Sequence, residues 1–244
     1  MAIEKGPAAG RREPGRRAGD HGRYGRLNRE LVLTAALGLV DREGLSALSM
    51  RRTGAELGVE AMALYRYAAG KDALLDGLVE AVYAELEEEL ARSAEAPGWR
   101  EELHRIAAAT HRVVLGHPQV APLLATRMLA VPLARRPPAV LRDHERVLVL
   151  LGRAGLDEEA LAEAFRAVSG WILGSCLGDL RAMVDNPDEP DPAFRLGLHR
   201  LPAHEFPRLR AAAPALARRG GAEAMAAGLD ALLDRFAPGA TPTG

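Results

Sequence analysis

Proline placement sets the first limit on what this chain can fold into. No proline occurs between Pro14 and Pro97, nor between Pro138 and Pro187. Proline removes a backbone donor and clashes with the preceding helical turn, so long helices run only through such gaps. Inside them apolar residues recur at helical spacing, while period-two alternation is never sustained. Aromatic residues make up only 4% of the chain, which further weakens any strand reading. The expected fold class is therefore all-α. Asn28 is expected to cap a first helix with Leu33, Leu37 and Val40 on one face, ending near Gly44. A short helix follows Ser49 and stops at Gly58. A third spans about 60–67, and a long one about 71–94. Further helices are expected near 99–115, 139–153 and 157–184, with a proline-interrupted stretch before the second of these. A long loop over 186–207 then precedes two last helices, about 208–218 and 222–236.

Length and composition narrow the class. At about 150 residues per domain, 244 residues suggest one or two units. A hydrophobic share of 48% is ample for a buried core. The single cysteine, Cys176, allows no intrachain disulfide, which fits a reducing cytoplasm. The most apolar stretch is broken by Pro122, Arg127 and Pro132, so no membrane span is expected. The N-terminal arginines are not followed by the apolar run of a signal peptide. A formal charge of -1 argues against a uniformly basic chain, but the charges are unevenly placed. Residues 1–75 carry 13 basic and 9 acidic side chains, and the remainder carries 19 and 24. Residues 1–26 hold seven of those basic groups and few large apolar residues, and are expected to form a disordered basic arm.

The segment from Met50 to Tyr67 has helix-turn-helix arithmetic. Gly58 sits where the chain must reverse, and glycine takes the left-handed conformation there without strain. Leu57, Val59 and Leu64 can fill the angle between two helices, and Gly54 is small enough to let them approach. The second helix is expected to show Ala61, Met62, Ala63, Tyr65, Arg66 and Tyr67 outward, a surface suited to DNA. Arginine pairs with guanine edges, and alanine and methionine suit thymine methyl groups.

Residues 28–83 resemble the DNA-binding domain of the TetR (tetracycline-repressor-like) family of transcriptional regulators. The resemblance is carried by Val40-Asp-Arg-Glu-Gly-Leu45, Leu48-Ser-Met-Arg51, Glu56-Leu-Gly-Val59, Ala63-Leu-Tyr-Arg-Tyr67 and Gly70-Lys-Asp-Ala-Leu-Leu75. It extends to the tetracycline-repressor type of regulatory domain through Trp99, His117, Gly155-Leu-Asp-Glu-Glu-Ala-Leu161, Ala167-Val-Ser-Gly-Trp-Ile-Leu-Gly174 and Gly228-Leu-Asp-Ala-Leu-Leu233. The resemblance implies a three-helix DNA-binding domain over 27–72 and a larger helical domain for effector binding and dimerisation over 73–244. It implies DNA contact from Met50 and Arg51, from Ala61, Met62, Ala63, Tyr65, Arg66 and Tyr67, and phosphate contact from Lys71. Thr53 departs from the family, which prefers an apolar residue there.

By family position, Ile106, Thr110, Leu124, Arg127, Val147, Phe165 and Ser169 are the implied effector contacts, with His104, His144 and Trp171 nearby in sequence. Ile106 and Leu124 stand where the tetracycline repressor has a polar amide and a magnesium-ligating histidine. Tetracycline–magnesium recognition is accordingly not implied, and no metal or cofactor is expected. An apolar pocket with few polar groups suits an apolar or aromatic small molecule. Gly170, Gly174 and Gly178 recur at four-residue spacing on one helix, and Leu229, Leu232 and Phe236 lie on the stripe of the last. In the family these two helices pair across a two-fold axis, so these six residues are the implied dimer interface. The reading is a sequence-specific regulator, a repressor released from a palindromic double-stranded operator by its effector. The alternative is a helical scaffold or adaptor of the same fold. An enzyme is not expected: no metalloprotease, phosphate-loop or serine-elbow motif occurs.

Overall fold

The computed structural model describes residues 27–180, 188–202, 204–218 and 220–236. The expected basic arm lies outside the described residues. The described residues contain no strand. The helices are α1 (Arg29–Glu43), α2 (Met50–Leu57), α3 (Ala61–Leu64), α4 (Lys71–Ala91), α5 (Trp99–Gly116), α6 (Ala121–Ala130), α7 (Pro138–Gly152), α8 (Glu158–Leu180), α9 (Pro192–Arg195), α10 (Pro207–Leu216) and α11 (Gly221–Phe236).

Short-range chemistry fixes the first three helices, which form the head. The Asn28 side chain accepts the Leu31 N–H at 2.7 Å and starts α1. Ser49 does the same for the Arg52 N–H at 3.2 Å and starts α2. Such caps satisfy donors that the first helical turn leaves without partners. Gly58 ends α2 with φ 66°, a backbone position that a Cβ would strain. The Val59 N–H then returns to the Gly54 carbonyl at 2.9 Å, and α3 begins two residues later.

From α3 the chain passes directly into α4, which packs on α1 in the head and on α5 and α7 in the body. α8 packs against α5, α6, α7 and α11. The buried core is continuous, from Val32 and Val40 of α1 through Leu74 and Leu78 of α4 and Ile106 of α5 to Leu229 and Leu233 of α11. α4 therefore shares one packed core with both the head and the body.

Two segments differ from the sequence expectation. The proline-interrupted stretch contains α6, because Pro122 lies in the first turn, where its missing N–H has no intrahelical partner to lose. The expected loop over 186–207 includes α9 and a 3₁₀ turn, Leu198–Arg200. The Arg210 guanidinium of α10 holds this turn by donating to the carbonyls of Leu198 and Leu201 at 2.7 and 2.8 Å.

Candidate nucleic-acid interface and effector cavity

The head exposes one cationic face. Met62 is 77% exposed and Tyr65 48%, both unusual for large side chains beside a packed core. Arg51, Arg66 and Lys71 are exposed as well, and none of them pairs with a carboxylate among the described residues. Neighbouring cations are already engaged: Arg52 with Glu43 at 2.6 Å, and Arg42 with Glu56 at 2.9 Å. The free charges thus lie at the start of α2, after α3 and at the start of α4. That arrangement can place guanidinium and ammonium groups on phosphates or base edges along a duplex. The sequence could not separate Arg51 from Arg52, because the Glu43 partner comes from another helix.

Two proposed contact residues point elsewhere. Met50 is 8% exposed and belongs to the core, so its side chain packs rather than reaches outward. Tyr67 is half-buried, and its hydroxyl donates to the Leu27 carbonyl at 2.6 Å. Its own carbonyl accepts from Arg29 of α1, which also pairs with Glu80 of α4. Tyr67 therefore fastens the end of the α3 turn to the start of α1. Ala61 and Ala63 are partly buried.

Thr53, the departure from the family pattern, is fully buried, and its hydroxyl has no hydrogen-bond partner. Burying an unpaired hydroxyl is unfavourable, and valine has nearly the same shape. Thr53→Val is expected to stabilise the protein by about 1 kcal/mol, read as a higher urea midpoint. An unchanged or lower midpoint would show that the hydroxyl is satisfied by solvent.

A cavity of about 60 Å³ lies between α4, α5, α7 and α8. Ile106, Thr110, Leu124, Val147 and Ser169 all line it, beside Val82, Tyr83 and Leu86 of α4. Phe165 stands behind this wall, its ring 5.2 Å from that of His144. Arg127 does not reach the cavity; its guanidinium ties α6 to α4 through Asp72 and Asp76, each at 3.0 Å. Trp171 also points away, donating to the Met225 carbonyl of α11 at 2.8 Å, and His104 pairs with Asp230.

The cavity's polar groups are its least expected feature. Asp143 lines it, and burial pushes its carboxyl up to about 6, with Arg146 opposing the shift. His144 accepts from the Arg136 guanidinium at Nε2 over 3.2 Å, which leaves its proton on Nδ1. Burial and the Arg136 charge hold its pKa below the ordinary histidine value. Nδ1 has no hydrogen-bond partner. A ligand in this cavity thus meets a mainly apolar wall that carries a neutral imidazole donor and an easily protonated carboxyl beside the hydroxyl-bearing Tyr83, Thr110 and Ser169. His144 follows Val140 and precedes Val147 at helical spacing, a signal available in the sequence; Asp143, one residue off that stripe, gave none.

Known proteins share both halves of this layout. A family model described as "Tetracyclin repressor-like, C-terminal domain" matches residues 93–236, more than half of the chain. One described as "Bacterial regulatory proteins, tetR family" matches residues 32–78. The chain belongs to the TetR family. An HTH-type transcriptional regulator of Saccharopolyspora erythraea is 32% identical over 190 residues, covering 78% of this chain and 76% of that protein. The class D tetracycline repressor protein of Escherichia coli is 30% identical over 215 residues, covering 86% and 89%. Among solved structures, the Streptomyces coelicolor TetR family protein ActR in complex with (S)-DNPA gives a TM-score of 0.68 at 28% identity, covering 88% of this chain and 99% of that one. As a TetR family member the protein is a DNA-binding transcriptional regulator.

In this TetR family regulator a charged clamp joins head to body. His117 follows α5, with Nδ1 2.8 Å from Asp41 of α1 and Nε2 2.8 Å from Glu85 of α4. A ring with a carboxylate on each nitrogen donates from both, which only the imidazolium does. Burial alone would lower its pKa, but the hydrogen bonds that the ring donates to Glu85 and Asp41 outweigh burial and raise it above 6.5. A raised histidine pKa gives stability that is complete below 6.5 and is lost as pH rises through the folded value. The parent is therefore expected to melt above His117→Gln in mildly acidic buffer, and the gap should narrow as pH rises into the alkaline range. A gap independent of pH would show that the clamp is uncharged.

The outer side of the TetR regulatory domain carries the three glycines. Gly170, Gly174 and Gly178 are exposed on α8, and a Cβ added at any of them would meet nothing within 4 Å. Leu229, by contrast, is fully buried with Met225 and Leu233 against the rest of the chain, so its packing is intrachain. Leu232 is half-buried, and Phe236 packs on the same core. The exposed face of α11 instead offers Ala224, Ala227 and Ala231.

Proposed function

We propose that this regulator is a cytoplasmic homodimeric repressor that reads a palindromic operator and is released by an apolar or aromatic effector bound in the cavity. The observation that carries this reading is that one helix serves both sites. α4 begins with Lys71 on the cationic face and, further along, lines the cavity with Val82, Tyr83 and Leu86. At about 60 Å³ the cavity is far smaller than the roughly 300–1,000 Å³ of small-molecule sites, so an effector must part α4 from its neighbours to enter. Leu74 and Leu78, buried between α4 and the head, transmit that movement. Two heads must lie about 34–36 Å apart to read successive major grooves. A coupling of about 1–3 kcal/mol, roughly 5- to 150-fold, is sufficient for release. The residues 27–72 would then be the reading head and 73–244 the sensing and pairing body.

A gel-shift titration on DNA upstream of the protein's own gene tests the reading face. Arg51→Ala and Tyr65→Ala should each weaken binding by about tenfold or more, with unchanged thermal melts, since each loses contacts of about 1–3 kcal/mol. Parent-like binding by both would reject the face. A thermal-shift screen of hydrophobic small molecules then tests release: stabilising hits should lower operator affinity, and a set of hits that all leave it unchanged would reject induction.

A further inference from the structure

Two polar atoms in the wall of the effector cavity have no partner within the fold. Asp143 and His144 are neighbours on α7, and both line the space between α4, α5, α7 and α8. Asp143 Oδ1 and His144 Nδ1 are buried, and neither makes a hydrogen bond. Native interiors rarely leave such atoms orphaned, because each forgoes the hydrogen bonds it had in water. Thr110 on the same wall shows the usual outcome: its hydroxyl donates to the Ile106 carbonyl of its own helix at 2.9 Å.

The two orphans are of opposite kind. Arg136 donates to His144 Nε2 at 3.2 Å, which leaves the ring proton on Nδ1 as a donor. The Val140 carbonyl, one turn back, attracts that proton without closing a hydrogen bond. With its carboxyl pushed up to about 6, Asp143 is mostly ionised at neutral pH and is then an acceptor. His144 Nδ1 lies 3.9 Å from Asp143 Oδ2. That is too far for a direct hydrogen bond, yet one oxygen atom can sit about 2.8 Å from each.

Few chemical groups suit both atoms. A carboxylate would be repelled by Asp143, and a cation would face the Nδ1 donor. An ether or ketone can accept from His144 but has no proton to give Asp143. A hydroxyl carries both functions on one atom. A phenol does so best: its O–H makes a short, charge-assisted bond to a carboxylate, and its ring can lie against Val82, Leu86 and Ile172.

We propose that Asp143 and His144 form a hydroxyl-reading site, and that the effector is a phenolic compound whose O–H accepts from His144 and donates to Asp143. This names the chemistry of the ligand and rests on the reading that the cavity takes the effector.

Calorimetric titration of the full chain without DNA, using 2-naphthol, 2-methoxynaphthalene and naphthalene, tests the proposal. The ether controls for the lost donor, and naphthalene for size. Naphthol is expected to bind about tenfold or more tightly than either control, since each control leaves a buried group unpaired. Asp143→Leu removes an orphaned acceptor and should melt at or above the parent temperature. It should weaken naphthol binding by about tenfold or more, without a matching loss for naphthalene. His144→Phe keeps a ring of similar size and should show the same split. Equal affinity for naphthol and naphthalene, or naphthol binding left intact by Asp143→Leu, would overturn the hydroxyl-reading site alone. Binding by none of the three up to their solubility limits would overturn it together with the cavity reading.

Discussion

Gly54→Ala is expected to weaken operator binding at least a hundredfold while leaving the protein folded. A Cβ on Gly54 would stand 2.8 Å from the Val59 carbonyl oxygen and 3.3 Å from the Ala61 nitrogen. Both are backbone atoms, one in the turn and one at the first residue of α3, so no side chain can swing aside. α3 must move relative to α2. Alanine gains about 1 kcal/mol over glycine as a helix former, which offsets part of the roughly 1–3 kcal/mol of overpacking. The melting temperature should therefore change little. Operator affinity should fall at least a hundredfold, because Met62 and Tyr65 ride on the displaced segment and Lys71 does not follow them by the same amount. Fluorescence anisotropy on labelled operator DNA and a parallel circular-dichroism melt separate the two effects. Parent-like affinity in Gly54→Ala would show that this close approach does not set the reading geometry.

The parts of the fold that are local in sequence were legible in it. Asn28 and Ser49 announce helix starts because their side chains serve donors only three residues away. Gly58 announces a reversal because its positive φ is a property of one residue. Longer helices follow from apolar spacing over many turns, where single errors average out. α6 is hidden because Pro122 reads as a breaker, whereas a proline in the first turn breaks nothing.

Side-chain direction on short elements was not legible. α3 has four residues, too few for periodicity to decide that Met62 faces out and Tyr67 turns back to Leu27. Charge pairing was equally hidden: Arg52 and Arg51 are neighbours, yet only the folded head brings Glu43 to one and leaves the other free. Arg127 had the same history, since its two aspartate partners lie 51 and 55 residues earlier. The polar centre of the cavity depends on a contact between Arg136 and His144 on either side of the α7 start. No pattern within one helix carries that information.

Arginine at position 174 is expected to leave a folded monomer that no longer holds its operator. Within one chain the substitution is benign: nothing lies within 4 Å of an added Cβ, and arginine is a better helix former than glycine by most of a kcal/mol. Three such glycines in one helix weaken an isolated α8 by about 1 kcal/mol each relative to alanine. Their shared orientation makes sense if a second backbone closes over them, and the exposed alanines of α11 continue the same low surface. A long charged side chain in the middle of that face would keep the two copies of the proposed dimer apart. Operator binding by a dimer depends on two heads engaging together, so a monomer loses the effective concentration of the second head and affinity falls by about a hundredfold or more. Light scattering coupled to size exclusion should report half the parent mass, and the thermal melt of the variant should become independent of protein concentration. An unchanged mass for Gly174→Arg would place the pairing surface on another face of the body, and the glycines would then need a different explanation.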